Sequence, residues 1–93
     1  MVVGIARIGL HLSDCRSLKE KRGMMKSLTQ RLRNKFNAAI AEIDHQDLWQ
    51  TSTIGVAVIG GSTAHASSQL QSILAFIERQ PMVLITTIET EAL

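Results

Sequence analysis

A single cysteine, Cys15, in 93 residues excludes a disulfide framework and a four-thiolate zinc site. Tyrosine is absent, and the aromatic set is confined to Phe36, Trp49 and Phe76. No apolar run is long enough to span a bilayer. The most apolar N-terminal stretch, Val2 to Leu12, is interrupted by Arg7. No basic segment precedes it and no small-residue cleavage site follows, so it does not read as a signal peptide. Hydrophobic residues at 45% against 19% charged make the chain too apolar to be disordered. This length predicts one domain over residues 1–93, with a single thin core. These bounds together predict a soluble, reduced, cytoplasmic protein.

The formal net charge of +2 conceals a segregation. Eight of the ten basic residues fall between Arg16 and Lys35, where Glu20 is the only acid. That window carries +7 and the remainder of the chain −5. Such polarity concerns partners rather than fold.

Val2 to Leu12, rich in Val, Ile and Leu, reads as a first strand. Ser17-Leu18-Lys19-Glu20 is a capping box, and the spacing predicts a helix from Leu18 to about Lys35. Leu18, Met25, Leu28, Leu32 and Phe36 fall within one arc of about 80° on that helix. Gly23 lies inside it, at a cost of roughly 1 kcal/mol relative to alanine, with close packing as one reason to keep it. Ala38 to Asp44 and Thr51 to Ile59 are further strands. Gly60-Gly61-Ser62-Thr63 then offers a break and an N-cap for a second helix, with Leu70, Ile73, Leu74 and Ile77 at core spacing. Pro81 stops that helix, and Val83 to Thr90 reads as a last strand. The order βαββαβ predicts a ferredoxin-like α/β fold: a four-stranded antiparallel sheet with two helices on one face.

An internal match supports this order. Val3-Gly4-Ile5-Ala6-Arg7-Ile8-Gly9 parallels Ile54-Gly55-Val56-Ala57-Val58-Ile59-Gly60. Taken as equivalent, the two segments put Gly4, Ala6, Gly55 and Ala57 under the helices together with Ile8 and Ile59. Val3, Ile5, Ile54, Val56 and Val58 then line the open face. A solvated sheet face normally alternates to polar residues, so an apolar one predicts a homodimer through those five side chains.

Lys19, Arg22, Lys26 and Arg33 project within about 60° of one another on the first helix, along about 21 Å of axis. No Asp or Glu occurs between Met24 and Lys35 to neutralise them. Lys21, Arg31 and Lys35 are expected to widen the positive zone. An uncompensated stripe of this length suits phosphates of a nucleic acid; a solubilising face, an acidic protein and a membrane surface are the competing readings. Neither predicted central strand carries an aromatic residue, which argues against base stacking on the sheet. A helix reading backbone and shape, with little sequence preference, is the expectation.

Other clusters carry less. Glu42 and Asp44, expected on one strand face, with His45 and Asp47 nearby, could bind a divalent ion in a small-ligand or metal-dependent regulator, but no recurrent ligand spacing is present. An acidic edge serving a neighbour's basic helix is the better explanation. Trp49 is expected to pack over a sheet edge or to anchor a partner. Cys15, His11 and His65 fall at different ends of this topology and form no catalytic set. Gly60-Gly61-Ser62-Thr63 lacks the lysine of a phosphate-binding loop and reads as a turn with a cap. No catalytic residues, metal site or cofactor are predicted.

Four blocks together resemble the YlxP-like family of small bacterial proteins. They are Ser17-Leu18-Lys19-Glu20-Lys21-Arg22, Arg31-Leu32-Arg33-Asn34-Lys35-Phe36-Asn37, Ala41-Glu42, and Asp44-His45-Gln46-Asp47-Leu48-Trp49-Gln50. The resemblance spans nearly the whole chain and implies a ferredoxin-like fold in a bacterial cytoplasm. It also implies a ribosomal or RNA-related role, because family genes sit among those for elongation, initiation and ribosome-binding factors. No catalytic residues are carried over. Cys15, Gly23 and Gly60-Gly61-Ser62-Thr63 depart locally from the family pattern. The leading expectation is therefore a non-enzymatic, dimeric protein associated with RNA or a ribosomal particle, and the main alternative is an interaction module for an acidic protein.

Overall fold

The computed structural model describes residues Met1–Leu93. Its elements are β1 (Val2–Leu12), α1 (Leu18–Lys35), β2 (Ala39–Asp44), β3 (Thr51–Gly60), α2 (Thr63–Glu78) and β4 (Val83–Ala92). They form one sheet in the order β2-β3-β1-β4 with every neighbouring pair antiparallel. This is the ferredoxin-like α+β arrangement, with β1 and β3 central.

Local chemistry sets the helix starts. The Ser17 hydroxyl accepts from the Glu20 amide at 3.1 Å, and Ser62 accepts from the His65 amide at 3.1 Å. Each satisfies one of the free amides at a helix N-terminus. The Glu20 carboxylate reaches one residue further back than an ordinary capping box and accepts from the Arg16 amide at 2.7 Å. Gly60 has a steric role. A Cβ there would lie 2.9 Å from the Ala66 amide nitrogen, so the first turn of α2 approaches the sheet over bare backbone. Gly23 does not act this way: nothing lies within 4 Å of a Cβ built on it, so no packing compensates its cost in α1.

The core is a single cluster between sheet and helices. Ile8, Leu10, Leu12 and Ile54 meet Leu28 and Leu32 from α1 and Ile73 and Ile77 from α2, all essentially fully buried. Side chains alternate across a strand, so the β1–β3 register decides which residues join this cluster. The partners are Gly4↔Val58, Ala6↔Val56 and Ile8↔Ile54, even positions opposite even positions. The internal sequence match relates segments offset by an odd number of residues, so matched positions in β1 and β3 face opposite sides. The expected open face is corrected accordingly. Ile54, Val56 and Val58 are core residues beneath the helices, each 3% exposed or less. Val3 and Ile5 do lie on the open face, joined there by Gly55, Ala57 and Ile59.

Val58 and Ile59 are adjacent yet 2% and 64% exposed. Val58→Asp buries an unpaired carboxylate and is expected to destabilise the fold by more than about 3 kcal/mol. Ile59→Asp is expected to change stability by less than about 1 kcal/mol. Urea denaturation of the two variants checks the assignment; equal effects would contradict it.

Candidate functional site

The cations of α1 sort into three groups once the helix is docked. Lys21 faces inward. It is 1% exposed, its Nζ lies 3.0 Å from Glu42 Oε2, and it donates to the His45 carbonyl. Glu42 also accepts from the Ser52 hydroxyl at 2.5 Å. The expectation that Lys21 widens an external field is therefore corrected: its charge is desolvated and neutralised within the molecule. Its helical phase lies among those of Met25, Leu28 and Leu32, which was readable in the sequence.

Arg31 and Lys35 form a second group, turned toward the end of α2. Arg31 donates to the Gln80 side chain and, at 3.3 Å, to the Ser27 carbonyl. Lys35 Nζ stands 5.2 Å from the centroid of Phe76 and 5.9 Å from that of Phe36, two rings in edge-to-face contact. The last turn of α2 contains no basic residue. Arg79 is the C-cap of α2, and Arg31 and Lys35 add from α1 to the positive charge that a helix C-terminus favours.

The third group is the stripe. Lys19, Arg22, Lys26 and Arg33 are all exposed. The chain's two ion pairs are Arg7–Asp44 and Lys21–Glu42, so none of these four is matched by a carboxylate. Arg33 Nη2 donates to the Ile40 carbonyl at 2.5 Å, which turns this flank of α1 toward the free edge of β2. A row of cations thus runs along the outer side of the helix, with its C-terminal member tied to the sheet.

The acidic segment is split rather than clustered. A bulge between Glu42 and Asp44 shifts the β2–β3 register, so Glu42 opposes Ile54 and Asp44 opposes Thr53. Glu42 turns toward the helices. Asp44 turns to the open face, where its carboxylate pairs with Arg7 at 3.1 Å. The expectation that these two carboxylates share a strand face is corrected by this bulge, and they do not converge on one ion. The better explanation, a neighbour's basic helix, is met by cations of the same chain. The His45 amide bond to Asp44, then the His45 charge, then Arg7 hold the Asp44 carboxyl below its ordinary value. That stabilisation is complete above the ordinary Asp range and is lost as pH falls through the depressed value. Cys15 is buried against the Ser17 carbonyl, while His65 is exposed at the start of α2, so no thiol–imidazole pair forms.

On the open face, Ile5, Ala39, Ala41, Ile43, Gly55 and Ala57 line a shallow depression of about 620 Å³, with Arg7, Glu89 and Glu91 at its margin. Of these six residues only Ile5 belongs to the five-residue expectation; the other five come from outside it. No helix is long and apolar enough to cross a membrane.

The model of a family described as "Protein of unknown function (DUF503)" matches residues 3–90. The chain belongs to the DUF503 family. The chain is similar to the "Uncharacterized protein YlxP" of Bacillus subtilis (strain 168). The two are 39% identical over 90 residues, covering 97% of this chain and 98% of the relative. Membership in DUF503 thus agrees with the resemblance carried by the basic-helix and β2–β3 blocks, and it names no activity.

Removing the charge of Lys21 tests the internal network of this DUF503 protein. Lys21→Met leaves Glu42 with Ser52 as its side-chain donor and is expected to destabilise by about 2–4 kcal/mol, discounted because Glu42 is partly exposed. Lys21→Met combined with Glu42→Leu is expected to recover most of that loss. Urea unfolding of the single and double variants measures both.

Proposed function

We propose that this protein is a non-enzymatic, RNA- or ribosome-associated accessory protein of the bacterial cytoplasm that grips phosphate backbone with the outer flank of α1. The observation that supports this reading is the set of four exposed cations, Lys19, Arg22, Lys26 and Arg33, on a stiff helix with no carboxylate partner. Solubilising faces normally interleave both signs; here Asp44 and Glu42 are engaged by Arg7 and Lys21, Asp14 and Glu20 lie only near the N-terminal end of the row, and no acid occurs between Met24 and Lys35. Lys19, Arg22 and Lys26 contact phosphates directly, Arg33 from its tether on β2, and Arg31 and Lys35 add field from the side facing α2. Contacts of this kind position a polyanion without reading its sequence.

Neutralising three or four phosphates of a single strand gives log K against log[salt] a slope of about −2 to −3. Filter binding across a salt series is expected to return that slope. A Lys19→Ala/Arg22→Ala/Lys26→Ala variant is expected to keep the wild-type thermal midpoint within a few degrees and to lose most of the affinity. Salt-independent binding, or unchanged affinity in the variant, would move the site elsewhere. In pull-downs, a partner that survives nuclease treatment would favour an acidic protein as the target of the same stripe.

The apolar depression on the open face supports a second element of this reading, a two-fold homodimer. Val3, Ile5, Ile43, Ala57 and Ile59 are the side chains that would meet their copies, with Arg7 and the Glu89/Glu91 pair as complementary charges at the rim. Ile43→Glu and Ile59→Glu together introduce charge at positions 44% and 64% exposed. The double variant is expected to sediment as a folded monomer where the wild type sediments as a dimer.

A further inference from the structure

Trp49 is 47% exposed, and the neighbouring Leu48 is 49% exposed. Neither joins the core cluster. They lie in the connection between β2 and β3, and two bonds tie that connection to the start of α1. Lys21 Nζ donates to the His45 carbonyl, and Gln50 Nε2 donates to the Cys15 carbonyl at 3.3 Å. The Leu12 amide also donates to the Gln50 carbonyl at 2.9 Å, so the far end of the connection is held by backbone as well. Trp49 therefore stands between fixed points, next in sequence to Gln50, which is bonded to the residue that precedes Arg16 and the start of α1. Asp14, Glu20, Glu42, Asp44 and Asp47 are the carboxylates at this end, of which Glu42 is paired with Lys21 and Asp44 with Arg7. The Glu20 carboxylate is engaged by the Arg16 amide.

An exposed indole held at the head of a cationic row has a definite chemistry. In the phosphate-binding reading the row holds the backbone, and the exposed ring offers a flat apolar surface on which a base can lie. Bases within a duplex have both faces covered by their neighbours, whereas an unpaired base has a face free to stack. Aromatic platforms beside positive grooves are the general device for holding single strands. We infer that Trp49 is a base-stacking platform and that this protein's nucleic-acid ligand is single-stranded RNA, its backbone running along Lys19, Arg22 and Lys26 and one unpaired base lying on the indole. This inference rests on the phosphate-binding reading of α1 and narrows it. The stacking surface is a loop and not the sheet, so it agrees with the lack of aromatic residues on β1 and β3.

Trp49 is the sole tryptophan, so its emission reports on the site directly. The full-length protein is titrated at low salt with a fluorescently labelled oligouridylate and with an RNA duplex of the same length. Affinity is read from anisotropy on the labelled RNA and stacking from tryptophan emission with unlabelled RNA. The single strand is expected to quench Trp49 with the same midpoint as the anisotropy change, while the duplex leaves emission nearly unchanged. Trp49→Ala is expected to weaken single-strand binding by about tenfold or more, the scale of one lost base–aromatic stack, and to leave duplex affinity unchanged. Trp49→Phe is expected to recover most of the loss. Single-strand binding without quenching, with wild-type affinity in Trp49→Ala, would overturn the stacking role and leave the phosphate contacts standing. Equal quenching by the duplex would overturn the preference for unpaired RNA. Failure of both RNAs to bind would overturn the phosphate-binding reading and this inference with it.

Discussion

The ion pair between Lys21 and Glu42 fixes how α1 is rotated on the sheet, and the surface of the protein follows from that rotation. A helix packed only by Met25, Leu28 and Leu32 could roll by a fraction of a turn at modest cost. A lysine ammonium taken out of water cannot tolerate such a roll, because its charge must stay matched by the carboxylate. The His45 carbonyl and the Ser52 hydroxyl complete the polar set. Burying two charges contributes little net stability when compared with an apolar pair of similar volume. What the pair provides is position: with Lys21 held inward, Lys19, Arg22 and Lys26 are held outward. The bond from the same lysine to the His45 carbonyl anchors the β2–β3 connection in which Trp49 lies.

The element order and the helix boundaries were legible because each rests on local chemistry. Ser17 and Ser62 are caps wherever they occur before an amphipathic run, and Pro81 follows a helix that has already ended at Glu78. The assignment of sheet faces was not legible from likeness between segments. β1 and β3 resemble one another read in parallel, but they pair antiparallel, and a match by sequence offset carries no information about which side of a sheet a residue takes. Burial pattern would have served better, since Leu10, Leu12 and Ile8 leave only the even positions of β1 for the core. The bulge near Ile43 is a further case. One extra residue sends Asp44 to the open face while Glu42 stays under the helices, and nothing in Ala-Ile-Ala-Glu-Ile-Asp marks where that extra residue sits.

The candidate site was partly legible for a similar reason. Lys19, Arg22, Lys26 and Arg33 share a helical phase away from the apolar arc, and helical phase survives into the fold. Lys21 has the phase of the core, and its charge alone suggested an outward position. Phase was the better guide, because a strand carboxylate was available to receive the ammonium. The fates of Arg31 and Lys35 needed tertiary information. Their partners, Gln80 and Phe76, lie across the helix pair, and only the packing of α1 beside α2 brings these two cations to the end of α2, next to its capping Arg79.

The stripe and the apolar depression lie on different layers of the molecule, and this separation bears on how weak contacts could suffice. Three or four exposed cations at physiological salt give one copy only a modest hold on a phosphate chain, since each ion pair is screened within about 8 Å. In the proposed two-fold pairing through the sheets, the helices of both copies stay outside, so neither stripe is consumed by assembly. The second stripe then meets the same RNA at an effective concentration set by the rigid separation of the two helices. Avidity of that kind can exceed either single contact by orders of magnitude without any new bond, provided the RNA can span both sites. A flexible single strand meets this condition more readily than a stiff duplex, which must present phosphates at both helices along one fixed axis. In that proposal the open face and the basic helix would be two parts of one binding device, and the small residues Ala39, Ala41, Gly55 and Ala57 of the open face would let two sheets approach closely enough to form it.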